Sequence, residues 1–248
     1  MSTIYILWLR QIKRYLRSKA RIIGALGQPL LFMVAFGFGF GAIFAKAGAG
    51  NYMDFLIPGI IGQSILFTAI SSGIDLIWDR QFGFLKETLA APVSRFEIFL
   101  GRTLGGATVA TIQGIIVLGL SFIVGFQPFS IPLMFVSILA MFLVSLLFTA
   151  LGTAIATKME DFHGFQLIMN FLVMPLFFLS GALFPLDAMP AALIMIARFN
   201  PLSYGVDLLR GLLTNSAHFS FSLDIVVLAS LTIFLLILGS LLFRKIEV

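Results

Sequence analysis

The chain is divided by long apolar runs. Residues 22–45, 55–78, 103–125, 131–157, 165–183 and 225–243 each hold about 20 or more mostly apolar residues, enough for a helix to cross about 30 Å of hydrocarbon. The spacing predicts six transmembrane helices. Before the first run, Ile4, Trp8, Ile12, Tyr15 and Leu16 recur at helical spacing, while Arg10, Lys13, Arg14, Arg17 and Arg21 gather on the opposite side. Residues 1–21 therefore form an amphipathic helix in the headgroup plane, with Trp8 and Tyr15 suited to the interface. The long basic stretch and the full-length span behind it, with no small-residue cleavage pattern, do not fit a signal peptide.

Within the runs, polar positions are unevenly distributed. The second run carries Gln63, Ser64, Thr68, Ser71, Ser72 and Asp75, groups that are costly in hydrocarbon without partners, so this helix should face protein or water. Asp75 lies within about a turn of the span's end, where interfacial solvation accounts for it. Gly37 with Gly41, and Gly101 with Gly105, are spaced for close helix approach. The fifth run contains Asn170 and Pro175.

Two stretches break the apolar pattern without being simple loops. Across residues 79–102, Phe82, Leu85 and Leu89 fall at helical spacing with Lys86 and Glu87 beside them, and Pro92 ends the pattern. This predicts a surface helix of about three turns over 81–91. Ser94-Arg95-Phe96-Glu97 then reads as a capping box that starts the next helix. Across residues 184–215, Phe184-Pro185 and Met189-Pro190 bracket a turn, 191–199 can form a short helix, Asn200-Pro201 breaks it, and 202–213 can form another. Neither piece is long enough to span, and Arg198, Asp207 and Arg210 oppose burial in lipid. Paired re-entrant half-helices dipping into the outer leaflet satisfy both facts. Asp207 and Arg210, three apart, are spaced to pair.

Composition turns this pattern into a class. Hydrophobic residues make up 60% and charged residues 11% of 248, with a mean hydropathy of +1.08, against roughly 45–50% and 25% in soluble domains. The chain reads as an all-α membrane protein whose residues 1–248 form one transmembrane domain. With both termini in the cytoplasm, thirteen Lys/Arg lie inside and only Lys46, Arg198 and Arg210 outside, which sets that orientation. The net charge of +5 follows from this bias rather than from nucleic-acid binding. The absence of cysteine excludes a disulfide framework and thiolate metal sites.

Candidate chemistry is sparse. No G-x-x-x-x-G-K-[ST] segment is present, so the chain has no phosphate-cradling loop of its own. His163 and His218 sit in opposite loops, and no nucleophilic triad can be assembled, which disfavours an intramembrane enzyme. Glu160, Asp161 and His163 read as a solvated loop rather than a metal site.

Two motifs carry a resemblance. LKETLAAPVSRFEIFLGRTLGG is similar to the signature of integral membrane subunits of ABC type 2 exporters, and SGALFPLDAMPAALIMIARFNPLSYGVDLLRGLL to that family's second block near the C-terminus. The resemblance covers essentially the whole chain. It implies a cell-membrane permease working as a pair, with two separate ATP-binding subunits beneath it that hold ATP and Mg; this chain itself binds no cofactor. It further implies that Phe82, Leu85, Lys86, Glu87, Leu89 and Pro92 couple to the ATPase, and that a helix capped by Ser94, Arg95 and Glu97 transmits the movement. Gln63, Thr68 and Asn170 are then expected along the translocation path, and Asn200, Pro201, Tyr204, Asp207 and Arg210 at its outer exit. The 28 phenylalanines lean towards a hydrophobic or amphipathic cargo such as a drug, lipid or lipid-linked glycan. An ATP-independent secondary transporter or channel, and a membrane scaffold for a soluble partner, remain as alternatives.

Overall fold

A computed structural model describes residues 2–46, 51–186 and 189–246. The regular structure of the described residues is all helix, with no strand: α1 (Thr3–Arg17), α2 (Lys19–Lys46), α3 (Tyr52–Ser71), α4 (Ile74–Gln81), α5 (Phe84–Ala90), α6 (Arg95–Ser121), α7 (Ile131–Ala156), α8 (Phe162–Phe178), α9 (Ala191–Phe199), α10 (Pro201–Thr214) and α11 (Phe221–Arg244). Five stretches are long and apolar enough to cross a membrane: Lys19–Gly39, Tyr52–Gln81, Arg95–Ser121, Ile131–Ala156 and Phe221–Arg244. The helix in the expected fifth span, α8, has 17 residues, about 25 Å at 1.5 Å per residue. It ends at Phe178, ahead of the expected boundary at 183, because the chain reverses at Gly181, whose φ is +76°.

The centre of the bundle is α3, buried almost continuously from Leu56 to Leu66. It packs on α2, α6, α7 and α10, so the polar second span does face protein. Burying a leucine or isoleucine side chain contributes about 1.5–3 kcal/mol in water, but apolar lipid offers no such gain. What organises this core is close packing and the pairing of polar groups. By contrast, α2 and α11 leave much of their surface uncovered.

The expected glycine contacts resolve differently at each site. Gly101 and Gly105 receive the chain's own amphipathic helix: a Cβ at Gly105 would lie 2.7 Å from Cβ of Gln11, and one at Gly101 would lie 3.0 Å from the Ile4 carbonyl oxygen. Helix α1 therefore lies along α6. Of the other pair, Gly37 packs against Met53, whereas a Cβ at Gly41 would meet nothing within 4 Å.

The re-entrant stretch is two helices, α9 and α10, broken at Asn200. Its turn includes residues 187 and 188, which lie outside the described residues. Asn200 accounts for the break: its Oδ1 accepts from the Leu202 amide at 3.0 Å, while its Nδ2 donates to the Leu176 carbonyl at 2.7 Å. Pro201 follows at the first helical position, where its missing N–H has no partner to lose.

Candidate functional site: the coupling corner and a polar cavity

Helix α3 does not run straight to the surface. It stops at Ser71 and resumes as α4 at Ile74, which ends at Gln81. Gly83 then turns the chain with φ +80°, a conformation a side chain resists. The surface helix α5 begins at Phe84, so it is seven residues long rather than three turns, and Phe82 belongs to the preceding turn. Phe82 is 74% exposed and stacks on Trp78, with ring centroids 5.3 Å apart.

The sequence-predicted coupling residues divide by face. Phe82, Lys86, Glu87 and Pro92 are exposed. Leu85 is fully buried and Leu89 half-buried, both packed into the core. The apolar periodicity of this segment thus seats α5 on its own chain, and its outward edge is made by the polar residues between. After Pro92, the capping box forms as expected. The Glu97 amide donates to Ser94 Oγ at 3.1 Å, and the Ser94 amide donates to Glu97 Oε2 at 3.3 Å. From that cap, α6 runs unbroken for 27 residues. Arg95 is half-buried beside it.

Beneath α5 lies a cluster that sequence reasoning missed. Asp79, on α4, is 5% exposed. Its two oxygens accept from Arg10 of α1 at 2.8 and 2.7 Å, and Oδ2 also accepts from Arg102 of α6 at 2.6 Å. Asp75, one turn earlier, lies 3.4 Å from Arg14 and 3.3 Å from Arg21. Four arginines thus converge on two carboxylates. Arg102 is itself 3% exposed, so its pairing with Asp79 is a buried ion pair with a charge-assisted hydrogen bond. The Arg10 guanidinium also lies 3.8 Å from the centre of the Phe84 ring, the first residue of α5. Hydrogen bonding to Asp79 holds Arg10 above its ordinary pKa. One side chain therefore touches α5, α4 and α1 at once.

This geometry corrects two expectations. Arg10 and Arg14 of the amphipathic helix reach the chain's own aspartates rather than only headgroups, and Asp75 is held by arginines rather than by interfacial water alone. Helical periodicity identified a basic face but carried no information about what lies opposite it. An arginine entering a span at 102 and acids at the end of another span, at 75 and 79, were the available signals. A second contact braces the same corner: Arg80 donates to the Met159 carbonyl at 3.1 Å and Gln81 to the Glu160 carbonyl at 3.3 Å.

The expected path residues do not form one site. Gln63 and Thr68 line a cavity of about 300 Å³ between α1, α2, α3 and α6. Asn170 is exposed on α8, away from that cavity. Tyr204, Asp207 and Arg210 lie in α10, where Asp207 and Arg210 form no ion pair among the described residues; each instead satisfies backbone. Asp207 accepts from the amides of His218 and Phe219 at 2.8 and 2.7 Å. Arg210 donates to the Gly181 carbonyl at 3.0 Å and lies 3.9 Å from the centre of the Phe55 ring. The Tyr204 hydroxyl donates to the Arg198 carbonyl at 2.6 Å. These residues hold the non-helical backbone around α9 and α10, which a low-dielectric surrounding requires.

Residues 2–214 match the family model described as ABC-2 type transporter. The chain is 31% identical to ycf38 of Cyanophora paradoxa, named a transport permease, over 99% of this chain and 89% of the relative. It is 27% identical to Nodulation protein J of Rhizobium leguminosarum bv. trifolii, over 83% and 76%. It is 25% identical to the inner membrane transport permease YadH of Escherichia coli K12, over 80% and 77%. All-helical in its regular structure among the described residues and crossing the membrane several times, the chain belongs to the ABC-2 type transporter family and is one of its transport permeases.

Proposed function

We propose that this permease is the membrane-spanning part of an ATP-driven exporter, working as a pair with two separate ATP-binding subunits, which alone carry ATP, Mg and the hydrolytic activity. Both termini lie in the cytoplasm of the cell, as the thirteen inside Lys/Arg favour. The observation that carries the reading is the construction of α5. Its exposed Lys86 and Glu87, with Phe82 just before it and Pro92 just after, suit a groove on the ATPase, while Leu85 anchors it and Phe84 rests on Arg10. A displacement of α5 then reaches Asp79, and through it α1 and α6 together. Because α6 is capped at Ser94, it moves as one rod into the membrane. The path for a hydrophobic or amphipathic substrate runs beside α3 and α8, past Gln63, Thr68 and Asn170, to an outer exit bordered by the α9–α10 block.

The test uses Glu87→Arg and Phe82→Asp, both at exposed positions. Leu85→Asp is unsuitable, since it would place a carboxylate in the core. The variants are expected to insert and melt like the wild type, yet to lose co-purification of a Walker-type ATPase and transport-dependent hydrolysis. Normal assembly with normal transport in both would overturn the coupling role of α5. A wild-type chain that captures no ATPase would favour a secondary transporter or a scaffold.

A further inference from the structure

The first 53 residues contain no acid, yet Arg10, Lys13, Arg14, Arg17, Lys19 and Arg21 follow one another at the junction of α1 and α2. What neutralises them comes from α4, and it is insufficient. Asp79 takes Arg10 and also Arg102, while a single oxygen of Asp75 lies 3.4 Å from Arg14 and 3.3 Å from Arg21. The side chain of Asp75 is only 6% exposed, against 38% for Arg14 and 42% for Arg21, so the two guanidiniums cover the acid and present their outer sides away from it. Lys13, Arg17 and Lys19 are exposed and form no ion pair among the described residues. The corner therefore carries a surplus of positive charge that no carboxylate of the described residues answers.

The apolar side of α1 divides in the same way. Trp8 and Tyr15, the residues suited to the membrane interface, are turned onto α6: the Trp8 indole donates to Thr108 Oγ1 at 3.0 Å and the Tyr15 hydroxyl to Gln113 Oε1 at 2.6 Å. Tyr5, Ile6 and Leu16 remain exposed. At about 100° per residue, Lys13 and Arg17 share one edge of the helix with Ile6, between the arginines held by α4 and the strip of Tyr5 and Leu16. Beyond the break at Ser18, Lys19 and Arg21 lead straight into the first span, where Ile23 is exposed. We propose that this edge docks the headgroup of an anionic phospholipid, with Lys13 and Arg17 on the phosphodiester and Arg14 and Arg21 beside it. Cationic side chains with phosphate make strong charge-assisted hydrogen bonds. An adjoining apolar strip at the foot of a span suits a lipid's acyl chains and offers nothing to a soluble anion. A zwitterionic headgroup brings its own cation and leaves the surplus in place, whereas a net negative one relieves the repulsion along α1 and holds it on α4 and α6. Of the four cations only Arg21 lines the cavity beside α3, so this lipid is a resident of the leaflet that braces the corner, distinct from any cargo. The inference goes beyond the export reading and does not depend on it.

The test uses the full-length chain in nanodiscs of equal phosphatidylglycerol and tail-matched phosphatidylcholine, without any ATPase, and counts the lipids retained on the chain by native mass spectrometry. Wild type should retain phosphatidylglycerol preferentially. Lys13→Gln with Arg17→Gln, both at exposed positions without an ion pair among the described residues, should cut that preference by about tenfold or more, since each basic charge near an anionic surface is worth about fivefold. Arg244→Gln with Lys245→Gln removes the same charge from the exposed end of α11 and should leave the preference within about twofold of wild type, a small fraction of the effect of one charge at the site. Amide exchange across residues 10–21 should be slower in the mixed discs than in pure phosphatidylcholine, and that difference should vanish in the Lys13/Arg17 variant. Equal retention of the two lipids by the wild type would overturn the proposal, as would a control that loses the preference as fully as the Lys13/Arg17 variant. An exchange difference that survives in that variant would overturn it too. Displacement of phosphatidylglycerol by excess glycerol 3-phosphate at constant ionic strength would assign the edge to soluble phosphates and equally refute a lipid site.

Discussion

Replacing Asp79 by Asn is the most informative single change in this protein. The carboxylate accepts three charge-assisted hydrogen bonds, two from Arg10 and one from Arg102. These do not weigh equally. The Arg10 side chain is 29% exposed, so solvent recovers part of what it loses, and a pair of that kind is worth about 1 kcal/mol or less. Arg102 has no such recourse. At 3% exposure, with Nε and Nη1 lacking partners among the described residues, it would become an uncompensated buried cation, a situation that costs about 3–5 kcal/mol. The expected loss is therefore about 3–5 kcal/mol, dominated by Arg102. Reversible unfolding in mixed micelles measures it, and amide exchange across residues 3–17 reports whether α1 lifts from α6. The second arm is Arg102→Met in the Asp79→Asn background. Removing the stranded charge should restore much of the stability, giving a coupling of about 2–3 kcal/mol in the double-mutant cycle. A loss below about 1 kcal/mol, or strictly additive single changes, would refute the claim that the Asp79–Arg102 pair ties α4 to α6.

Two further outcomes follow from the same corner. Gly105→Leu should destabilise by about 1–3 kcal/mol and raise protease cleavage within α1, because its Cβ would fall 2.7 Å from that of Gln11. Gly24→Leu, on an open surface, is the control that should do neither. Ser94→Ala removes one side of the capping box and should cost about 1 kcal/mol, read by the same unfolding assay; the exchange it adds should be confined to the first turn of α6, residues 95–98.

What could be read along the chain was whatever a few neighbouring residues decide. The Ser94–Glu97 box involves groups three positions apart, the Asn200-Pro201 break two adjacent residues, and a span about 20 consecutive ones. The box and the break correspond to features of the fold, as do five of the six apolar runs. The extent of α8 and of α5 was less legible, because their ends depend on turns at Gly181 and Gly83 whose left-handed conformation is not encoded by apolar spacing.

Which face meets what depends on contacts between segments distant in the chain. Leu85 looked like a contact for a partner and is a core residue, since helical periodicity marks an apolar stripe without naming its occupant. Asp207 and Arg210 had the spacing to pair, yet each found backbone groups brought in from other segments. Arg10 and Asp79 are 69 positions apart, and Arg102 a further 23; no local rule joins them. Local sequence dictates the membrane class, most of the helices and their caps, because hydrocarbon demands apolar length and internally satisfied backbone. The folded bundle determined the partners of its few buried charges and amides, because in a low dielectric each must find a partner, however distant in the chain.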